Sequence, residues 1–580
     1  MKLRSFISFL AMAAMCASCA EYVKVDTFEE AADPVALTPE AEAAWEQVSS
    51  KLNATWVSSD FAFSRSEVPA VEQIEFCHLM AWKGERVSAQ FLLWSNESKD
   101  GVTCEFDDFK SDEAVLPATV AQARFVRYTL ADPQVYRFKK GADPVIAPDM
   151  LDSLSRFDME ARTVRPVWVT VDVPQDATPG IYKTNVTVKH NGWGKVELPL
   201  IVEVYDHVLP EPSEWNYHLD LWQHPASVAY AHGLEVWSDE HFEALKPVMK
   251  RLAEAGQKVV TATLNKDPWN HQCYYAYEPM ITWTKHKDGS WSYDYKVFDR
   301  WVQLMLDLGI DREINCYSMA PWNCELEYFD EAEGKVITVK AEPGTAIFPK
   351  IWTPFLKDFK AHLEQKGWLS FTNIAMDERS PEAMQAAADV LAKCAPEMGF
   401  ALADNHRSYK KFTMMKDVCV AMHYNIVDKA DIDMRRANGQ YTTFYVCCSP
   451  SYPNTFTTSF HYEAELLGWY NLAHDYDGML RWAYNSWAEN PQYDSRYGNW
   501  MSGDTYFVYP YNRSSIRFEK LRDGIEVAEK VRQLRKEGVD VSEVEAVLEK
   551  VRNTNAHDPK LPWHDILVEA RIALDAVSRK

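Results

Sequence analysis

Two adjacent carboxylic acids stand at the end of an apolar run in the middle of the chain. Asp377 and Glu378 directly follow the apolar residues 374–376, so they end a predicted buried strand. A carboxyl pair at one site can supply a general acid and a general base. Neighbours in a regular strand point to opposite faces, so both acids serve one site only if the strand ends between them. The helix start Ser380-Pro381 favours such an early end.

Aromatic and hydrogen-bonding side chains follow the other predicted strands. Around a carboxyl pair, flat rings and neutral donors are typical of a carbohydrate pocket. The same tryptophans could instead fill a large core, and the tyrosines could be packed barrel residues. Phosphate fits poorly, because no Gly-rich loop or Lys cluster is present there. The candidate substrate-binding residues are Trp222, His224, Trp322, His423, Tyr424, Tyr445, Trp482, Asn485 and Trp487.

Strands and helices alternate after residue 213, which predicts βαβ units and a parallel sheet. Eight such units predict a (β/α)8 TIM barrel over residues 213–525, with an open doubly wound sheet as the alternative. The active site of a TIM barrel lies at the C-terminal ends of its strands, where the candidates above stand. Helices are predicted at 240–255, 295–308, 354–365, 381–395 and 461–473, and strands at 217–222, 259–264, 314–319, 371–376, 399–403, 418–423, 442–446 and 478–483.

The chain is predicted to have several domains. Residues 19–212 alternate apolar and polar side chains in the strand period, with turn signals between the runs, which predicts an N-terminal β-sandwich. A Pro-rich boundary at 209–212 ends that region. Residues 526–580 are charged and helical in pattern, and we expect a small C-terminal helical appendage there.

The first residues resemble an export signal. Lys2 and Arg4 precede an apolar stretch, 6–15, that is too short to span a bilayer as a mature helix. Small residues then precede Cys19, which predicts a lipoprotein-type signal peptide over 1–18 and acylation of Cys19. Cleavage after Ala20 without lipidation is the alternative. Either route exports the protein, and we expect a cell-envelope location in the periplasm or as an outer-membrane lipoprotein.

The acidic composition limits the partners. Formal net charge is -24, which argues against nucleic acid and against anionic membrane, except through the lipid anchor. Nine cysteines follow the signal region without a CxxC motif or zinc-type spacing, so we expect buried thiols and neither a metal nor an organic cofactor. Oligomeric state is left open.

A stretch near the predicted eighth strand is similar to a known family. Residues 480–487, 502–506, 515–517 and 519–525, together with the acid pair and the preceding sandwich, resemble glycoside hydrolase family 123 over nearly the whole mature chain. The resemblance implies a sandwich followed by a barrel. It also implies an exo-acting, retaining β-N-acetylgalactosaminidase acting on terminal sugars of glycans or glycolipids. Residues 526–529 depart from the more acidic, aromatic run that relatives often carry, away from the pocket.

The family mechanism implied is substrate-assisted, an exception to the two-carboxylate scheme. The substrate's own 2-acetamido oxygen attacks the anomeric carbon, and an oxazolinium-type intermediate forms. By the resemblance, Asp377 accepts the acetamido N–H, and Glu378 gives a proton to the leaving oxygen and later takes one from water. An apolar barrel mouth and an ionised neighbour favour the neutral form of one acid, so we expect Glu378 protonated and Asp377 charged.

Two other functions remain open from the sequence. The same barrel could hydrolyse another β-glycoside, such as a β-N-acetylglucosaminide or an unacetylated β-galactoside. A decayed barrel could instead serve as a non-catalytic, lipid-anchored glycan-binding protein, although the presence of both acids argues against it.

Overall fold

The computed structural model describes residues 29–134, 139–191, 194–422, 427–554 and 562–579. The predicted signal peptide and the lipidation site Cys19 lie outside these ranges. His423 and Tyr424, two of the predicted substrate-binding residues, also lie outside them.

The N-terminal region is rich in antiparallel β-structure, as the alternating pattern predicted. Its two sheets pack face to face over a core that includes Phe91 and Val167 from one sheet and Tyr182 and Val186 from the other. After helix α1 (Pro39–Glu46) come the strands β1 (Asn53–Val57), β2 (Cys77–Lys83), β3 (Arg86–Ser95), β4 (Lys99–Phe106), β5 (Phe109–Lys110), β6 (Val115–Leu116), β7 (Ala121–Ala131), β8 (Val145–Asp152), β9 (Phe157–Met159), β10 (Thr163–Asp172), β11 (Gly180–Lys189) and β12 (Lys195–Val208).

The strand order explains how each sheet is built. One sheet runs β1-β3-β10-β7-β8, and the other runs β2-β12-β11-β4-β9 with β5 and β6 at its side. In β11 the buried residues Tyr182, Thr184, Val186 and Val188 alternate with more exposed ones, so one face of the strand meets the core and the other meets solvent.

An eight-stranded parallel sheet follows and confirms the predicted barrel. Its eight strands are β13 (His218–Leu221), β14 (Val259–Thr263), β17 (Glu313–Tyr317), β20 (Thr372–Asp377), β21 (Gly399–Asp404), β22 (Met415–Ala421), β23 (Tyr441–Tyr445) and β24 (Gly478–Arg481). Their order is β13-β24-β23-β22-β21-β20-β17-β14, and a parallel bridge between Leu219 of β13 and Gln257, just before β14, closes the sheet.

Amphipathic helices cover the outside of the barrel, and the five predicted helices are present. In α3, buried Phe242, Leu245, Val248 and Leu252 recur at helical spacing and face the strands. The helices of this region are α2 (Pro225–His232), α3 (Asp239–Ala253), α4 (Lys296–Asp307), α5 (Ile347–Lys366), α6 (Pro381–Cys394), α7 (Lys429–Ala437) and α8 (Tyr462–Ala473).

The loops after the second and third barrel strands carry a small extra sheet that the sequence analysis did not predict. Its strands are β15 (Thr282–Lys285), β16 (Trp291–Asp294), β18 (Glu325–Asp330) and β19 (Lys335–Lys340), in the order β16-β15-β18-β19. These loops are therefore structured walls beside the barrel mouth.

The C-terminal part is helical, as predicted. Helix α9 (Ile516–Glu537) runs through the position of the predicted boundary at 525, and α10 (Ser542–Asn553) and α11 (Trp563–Ser578) follow it. No helix in the described ranges combines the length and apolarity that a membrane crossing needs.

Buried polar contacts join the sandwich to the barrel region. Strand β25 (Ser514–Ser515) pairs with β8 and adds a sixth strand to the first sandwich sheet. Beside it, Arg517 forms a buried ion pair with Asp149 at 2.9 Å, and the Tyr509 hydroxyl donates to the same carboxylate at 2.6 Å. Arg517 therefore joins the two domains.

Candidate active site

The fourth barrel strand ends in the turn that positions the acid pair. Asp377 is the last residue of β20, and Glu378 has a positive φ of 47°. This left-handed conformation breaks the strand alternation, so both side chains line one cavity. The Glu378 N–H donates to the Ala403 carbonyl at 2.9 Å, which fixes the turn against β21.

The sequence determines this turn locally. Helix α6 begins only three residues after Glu378, with Pro381 in its first turn. The Ser380 hydroxyl caps the helix by accepting the Ala383 N–H at 3.3 Å. The strand therefore cannot continue beyond Asp377, as the Ser380-Pro381 pair predicted.

The acid pair lies at the C-terminal mouth of the barrel in a compact cavity of about 130 Å³. Aromatic rings dominate the wall, and the acids supply the polar floor. The lining residues are Trp222, Gln272, Trp322, Asp377, Glu378, Ala403, Tyr445, Cys447, Cys448, Leu480, Trp482, Trp500 and Asp504.

Asp377 is held by an indole and is unusually hard to ionise. Trp322 Nε1 donates to Asp377 Oδ2 at 3.2 Å. Burial, followed by the neighbouring charge of Glu378, raises the pKa of Asp377 to about 8. The sequence predicted Asp377 as the charged partner. The raised pKa instead favours the neutral form of Asp377, because burial outweighs the donors around it.

Glu378 is held by a tyrosine at the end of the seventh barrel strand. The Tyr445 hydroxyl donates to Glu378 Oε1 at 2.5 Å. Burial and the Glu378 charge hold the pKa of Tyr445 well above its usual range, so this hydroxyl remains a donor. Tyr445 therefore orients the second acid, a contact that the sequence analysis did not assign to it.

Indole rings form the walls above the acids. Trp322 is 39% exposed, so its face is open to a ligand while its N–H is fixed on Asp377. Trp482 lies edge-on to Trp500, with ring centroids 5.7 Å apart. Trp222 packs against Trp269 at 4.9 Å and is 2% exposed, so it forms the inner wall.

A buried ion pair stiffens the eighth-strand side of the cavity. Arg481 donates to Asp504 at 2.8 Å, and Trp482 Nε1 donates to the same Oδ1 at 3.2 Å. Arg481 also donates to the Val446 carbonyl at 3.1 Å. Asp504 thus fixes the Trp482 ring in place.

Comparison with known proteins identifies the family. The family model for the glycoside hydrolase 123 catalytic domain matches residues 222–534, and the glycoside hydrolase 123 N-terminal domain matches residues 56–190. The catalytic model alone spans more than half of the chain. The chain belongs to glycoside hydrolase family 123.

A solved structure agrees with this family 123 assignment. A family 123 glycoside hydrolase from Clostridium perfringens, described in connection with glycolipid glycan hydrolysis, is 27% identical. The match covers 91% of this chain and 97% of that chain, with a TM-score of 0.84. A Bacteroides ovatus GH5 xyloglucanase, in complex with a XXXG heptasaccharide, is 10% identical over 82% of this chain and 100% of its own, with a TM-score of 0.28. No curated protein matches.

Three predicted substrate-binding residues of this family 123 hydrolase lie behind the cavity. The His224 N–H donates to Asn485 Oδ1 at 2.9 Å, and the His224 ring stacks on Tyr277 at 3.7 Å. Burial lowers the pKa of His224 to about 3. Trp487 is fully buried, and its Nε1 donates to the Val508 carbonyl at 2.6 Å. Their expected contacts with substrate are not supported, because side-chain direction beyond a strand end depends on loop conformation.

Several cavity residues were missed by the sequence analysis. Gln272 and Trp500 come from long loops and meet there, with Trp500 Nε1 donating to the Gln272 carbonyl at 3.1 Å. Nothing in the local sequence around either residue predicts this contact. Cys447 and Cys448 come directly after the seventh barrel strand, so the strand-end rule could have found them.

A possible metal-ligand group lies at the other end of the family 123 barrel. Among the described residues, donor atoms of His218, Glu313 and Asp417 lie within 4.8 Å of one another, and all three side chains are buried. They stand near the amino ends of their strands, away from the acid pair. An ion held there would serve the fold rather than contact the substrate.

Proposed function

We propose that this family 123 hydrolase is a retaining, exo-acting β-N-acetylgalactosaminidase that releases terminal β-linked N-acetylgalactosamine by substrate-assisted catalysis. The observation that carries the proposal is the left-handed turn at Glu378, which directs two adjacent acids into one aromatic cavity. Such a pair can contact two sites on a single hexosamine, namely the acetamido group and the glycosidic oxygen.

In the proposed first step, the substrate's acetamido oxygen attacks the anomeric carbon and the bond to the leaving oxygen breaks. Asp377 accepts a hydrogen bond from the acetamido N–H and stabilises the positive charge of the oxazolinium-type intermediate. Glu378 protonates the leaving oxygen and then deprotonates the water that opens the ring. Holding the acetamide in position exploits intramolecular proximity, which can lower a barrier by about 7 kcal/mol or more.

Proton placement follows from the electrostatics of the pair. The raised pKa of Asp377 favours its neutral form. A bound acetamide would donate its N–H to Asp377 and so favour the carboxylate there. The glycosidic oxygen would accept from Glu378, which Tyr445 already orients. Substrate binding would therefore shift the proton from Asp377 to Glu378, the residue that protonates the glycosidic oxygen.

The relative and the cavity support the substrate class. The Clostridium perfringens enzyme is described in connection with glycolipid glycan hydrolysis, which favours glycolipid glycans as substrates for this chain too. A compact cavity walled by indoles suits one terminal sugar, whose apolar face can stack on a ring.

A substrate panel tests the proposal directly. Turnover of para-nitrophenyl β-glycosides of N-acetylgalactosamine, N-acetylglucosamine and galactose would be compared. We expect the N-acetylgalactosaminide to be hydrolysed with the highest kcat/KM. A thiazoline that mimics the oxazolinium should inhibit this hydrolysis. A preference for the galactoside, or no thiazoline inhibition, would remove the acetamido group from the mechanism.

Variants of the acids locate the chemistry. Asp377→Asn and Glu378→Gln should each lose most turnover of natural substrate. Glu378→Gln should spare aryl glycosides with good leaving groups, because they need little acid assistance. Asp389→Asn is the matched control, since Asp389 is an exposed acid on the adjoining helix α6. Normal hydrolysis by both acid variants would place the catalytic site elsewhere.

We also propose export to the cell envelope with acylation of Cys19. The basic, apolar and small-residue order of the first twenty residues supports this. In metabolic labelling with a fatty acid, the native protein should carry the label and the Cys19→Ser variant should not. An unacylated mature protein beginning at Glu21 would instead indicate plain secretion.

A further inference from the structure

Two adjacent cysteines stand in the wall of the substrate cavity. Cys447 and Cys448 follow Tyr445, the last residue of β23, by two and three positions, and both line the cavity with the acid pair. Their sulfur atoms are 3.8 Å apart. Cys448 is exposed and Cys447 is half-buried, so an external reagent can reach the Cys448 sulfur more easily than the Cys447 sulfur.

The two thiols differ in reactivity. The two sulfur atoms lie within hydrogen-bonding distance, and their contact lowers the pKa of Cys448 and raises that of Cys447. By contrast, burial raises the pKa of Cys273, another cysteine near the barrel mouth, to about 12. Because the thiolate is the nucleophile, Cys448 is the thiol expected to react first.

The backbone around the pair is anchored next to the catalytic groups. Asn454 Nδ2 donates to the Cys447 carbonyl at 2.8 Å, and Arg481 donates to the Val446 carbonyl at 3.1 Å. Tyr445, two residues before Cys447, donates to Glu378. A change in geometry at the cysteines would therefore act within two residues of the tyrosine that orients Glu378.

We propose that Cys447 and Cys448 form an oxidisable dithiol in the cavity wall, and that its conversion to a disulfide by an external disulfide lowers glycosidase turnover. The effect on turnover rests on the proposed function, since it requires the acid pair to be the hydrolytic site. Formation of the disulfide does not depend on that function.

The reaction is an ordinary thiol–disulfide exchange. Cys448 loses its proton, and the resulting thiolate attacks one sulfur of the external disulfide. A bond forms between these two sulfurs, the external S–S bond breaks, and the leaving thiolate takes up the proton that Cys448 released. Cys447 then loses its proton and attacks the Cys448 sulfur, and the second external thiol leaves. Two protein thiols are oxidised to one disulfide, and one external disulfide is reduced to two thiols.

Ring closure must move atoms beside the acid pair. The sulfurs must approach from 3.8 Å to about 2.05 Å. Adjacent Cα atoms are closer than a disulfide prefers, so the product is strained and readily reduced. Misplacement by about 1 Å near reacting groups can cost about 100-fold in rate, so we expect kcat/KM to fall by about tenfold to 100-fold.

The experiment oxidises the full mature protein with oxidised glutathione and follows turnover and intact mass together. We expect the internal disulfide, seen as the loss of two hydrogens without a retained glutathione, to form in parallel with the loss of turnover. A dithiol reductant should restore both. If the disulfide forms and kcat/KM is unchanged, or if no internal disulfide forms, the proposal is overturned.

Single variants assign the effect to the pair. Cys448→Ser, compared with its own untreated turnover, should resist the loss, whereas Cys447→Ser should form no internal disulfide and should retain one glutathione on Cys448. Cys394→Ser, a half-buried cysteine on α6, is the matched control and should remain as sensitive as the wild type. Equal loss in Cys448→Ser would assign the effect to another thiol. If reduced enzyme hydrolyses no glycoside of the panel, the proposed function fails, while the mass data still decide whether the dithiol oxidises.

Discussion

Replacing Asp377 by Asn should remove most of the turnover and, at the same time, stabilise the fold in a pH-dependent way. The carboxyl has a pKa raised to about 8 in the folded chain, against 3.8 for the unperturbed group. Between these values the unfolded chain releases the proton and the folded chain keeps it. The free energy of unfolding of the wild type therefore falls as pH rises through this window and levels off above about pH 8.

The size of the effect follows from the same shift. About four pKa units correspond to a ceiling of about 6 kcal/mol. The side chain is partly exposed at the cavity mouth, and solvent screening reduces the cost. We therefore expect Asp377→Asn to be more stable than the wild type by about 1–3 kcal/mol above pH 8, and by little near pH 4. Asparagine has no ionisable group, so its contribution does not vary with pH.

Thermal unfolding of both proteins from about pH 4 to about pH 9 measures this difference. We expect the gap between the two Tm values to grow with pH and reach about 2–5 °C. Asp389→Asn, the exposed control on α6, should give a gap that does not change with pH. A constant or shrinking gap for Asp377→Asn would mean that the folded protein does not hold a proton at Asp377, and the account of the acid pair would fail.

Three further predictions concern the contacts around the site and between the domains. Tyr445→Phe should lower kcat about 10- to 100-fold, because it removes a hydrogen bond to the Glu378 carboxylate, and steady-state kinetics will measure this. The kcat/KM of the wild type should decline above about pH 8, as the acid pair loses its last proton. If the pH–rate profile of Asp377→Asn shows the same decline above about pH 8, the proton is not held at Asp377. Arg517→Met should lower the free energy of unfolding by about 3–5 kcal/mol, because Asp149 stays buried without its ion-pair partner. Urea unfolding should show that adding Asp149→Asn restores part of this lost stability.

Much of the fold was predictable because it depends on local periodicity. The alternation of apolar and polar residues in β11 and the helical spacing in α3 are both visible in the sequence, and α3 forms where a helix was predicted. The extra sheet β15, β16, β18 and β19 was not predicted. Its strands are short, and they are stabilised by pairing with one another across long loops rather than by a strong pattern of their own.

The acid pair was predictable for a similar reason. An apolar strand, two acids and the Ser380-Pro381 helix start are consecutive in the chain, so they require the turn that places Asp377 and Glu378 in one cavity. His224, Asn485 and Trp487 share the same strand-end position in the sequence. Their side chains nevertheless turn into the core, where the loop backbone and neighbouring rings satisfy their hydrogen bonds.

The sequence by itself determined the domain order, the barrel and the two acids, because each depends on residues close together in the chain. Only the tertiary structure decided which rings face the cavity, that Tyr445 orients Glu378, and that Cys447 and Cys448 stand in the cavity wall. It also decided the raised pKa of Asp377. Burial and charge at a point in space depend on residues from many strands and loops, and their distances are set only when the barrel closes.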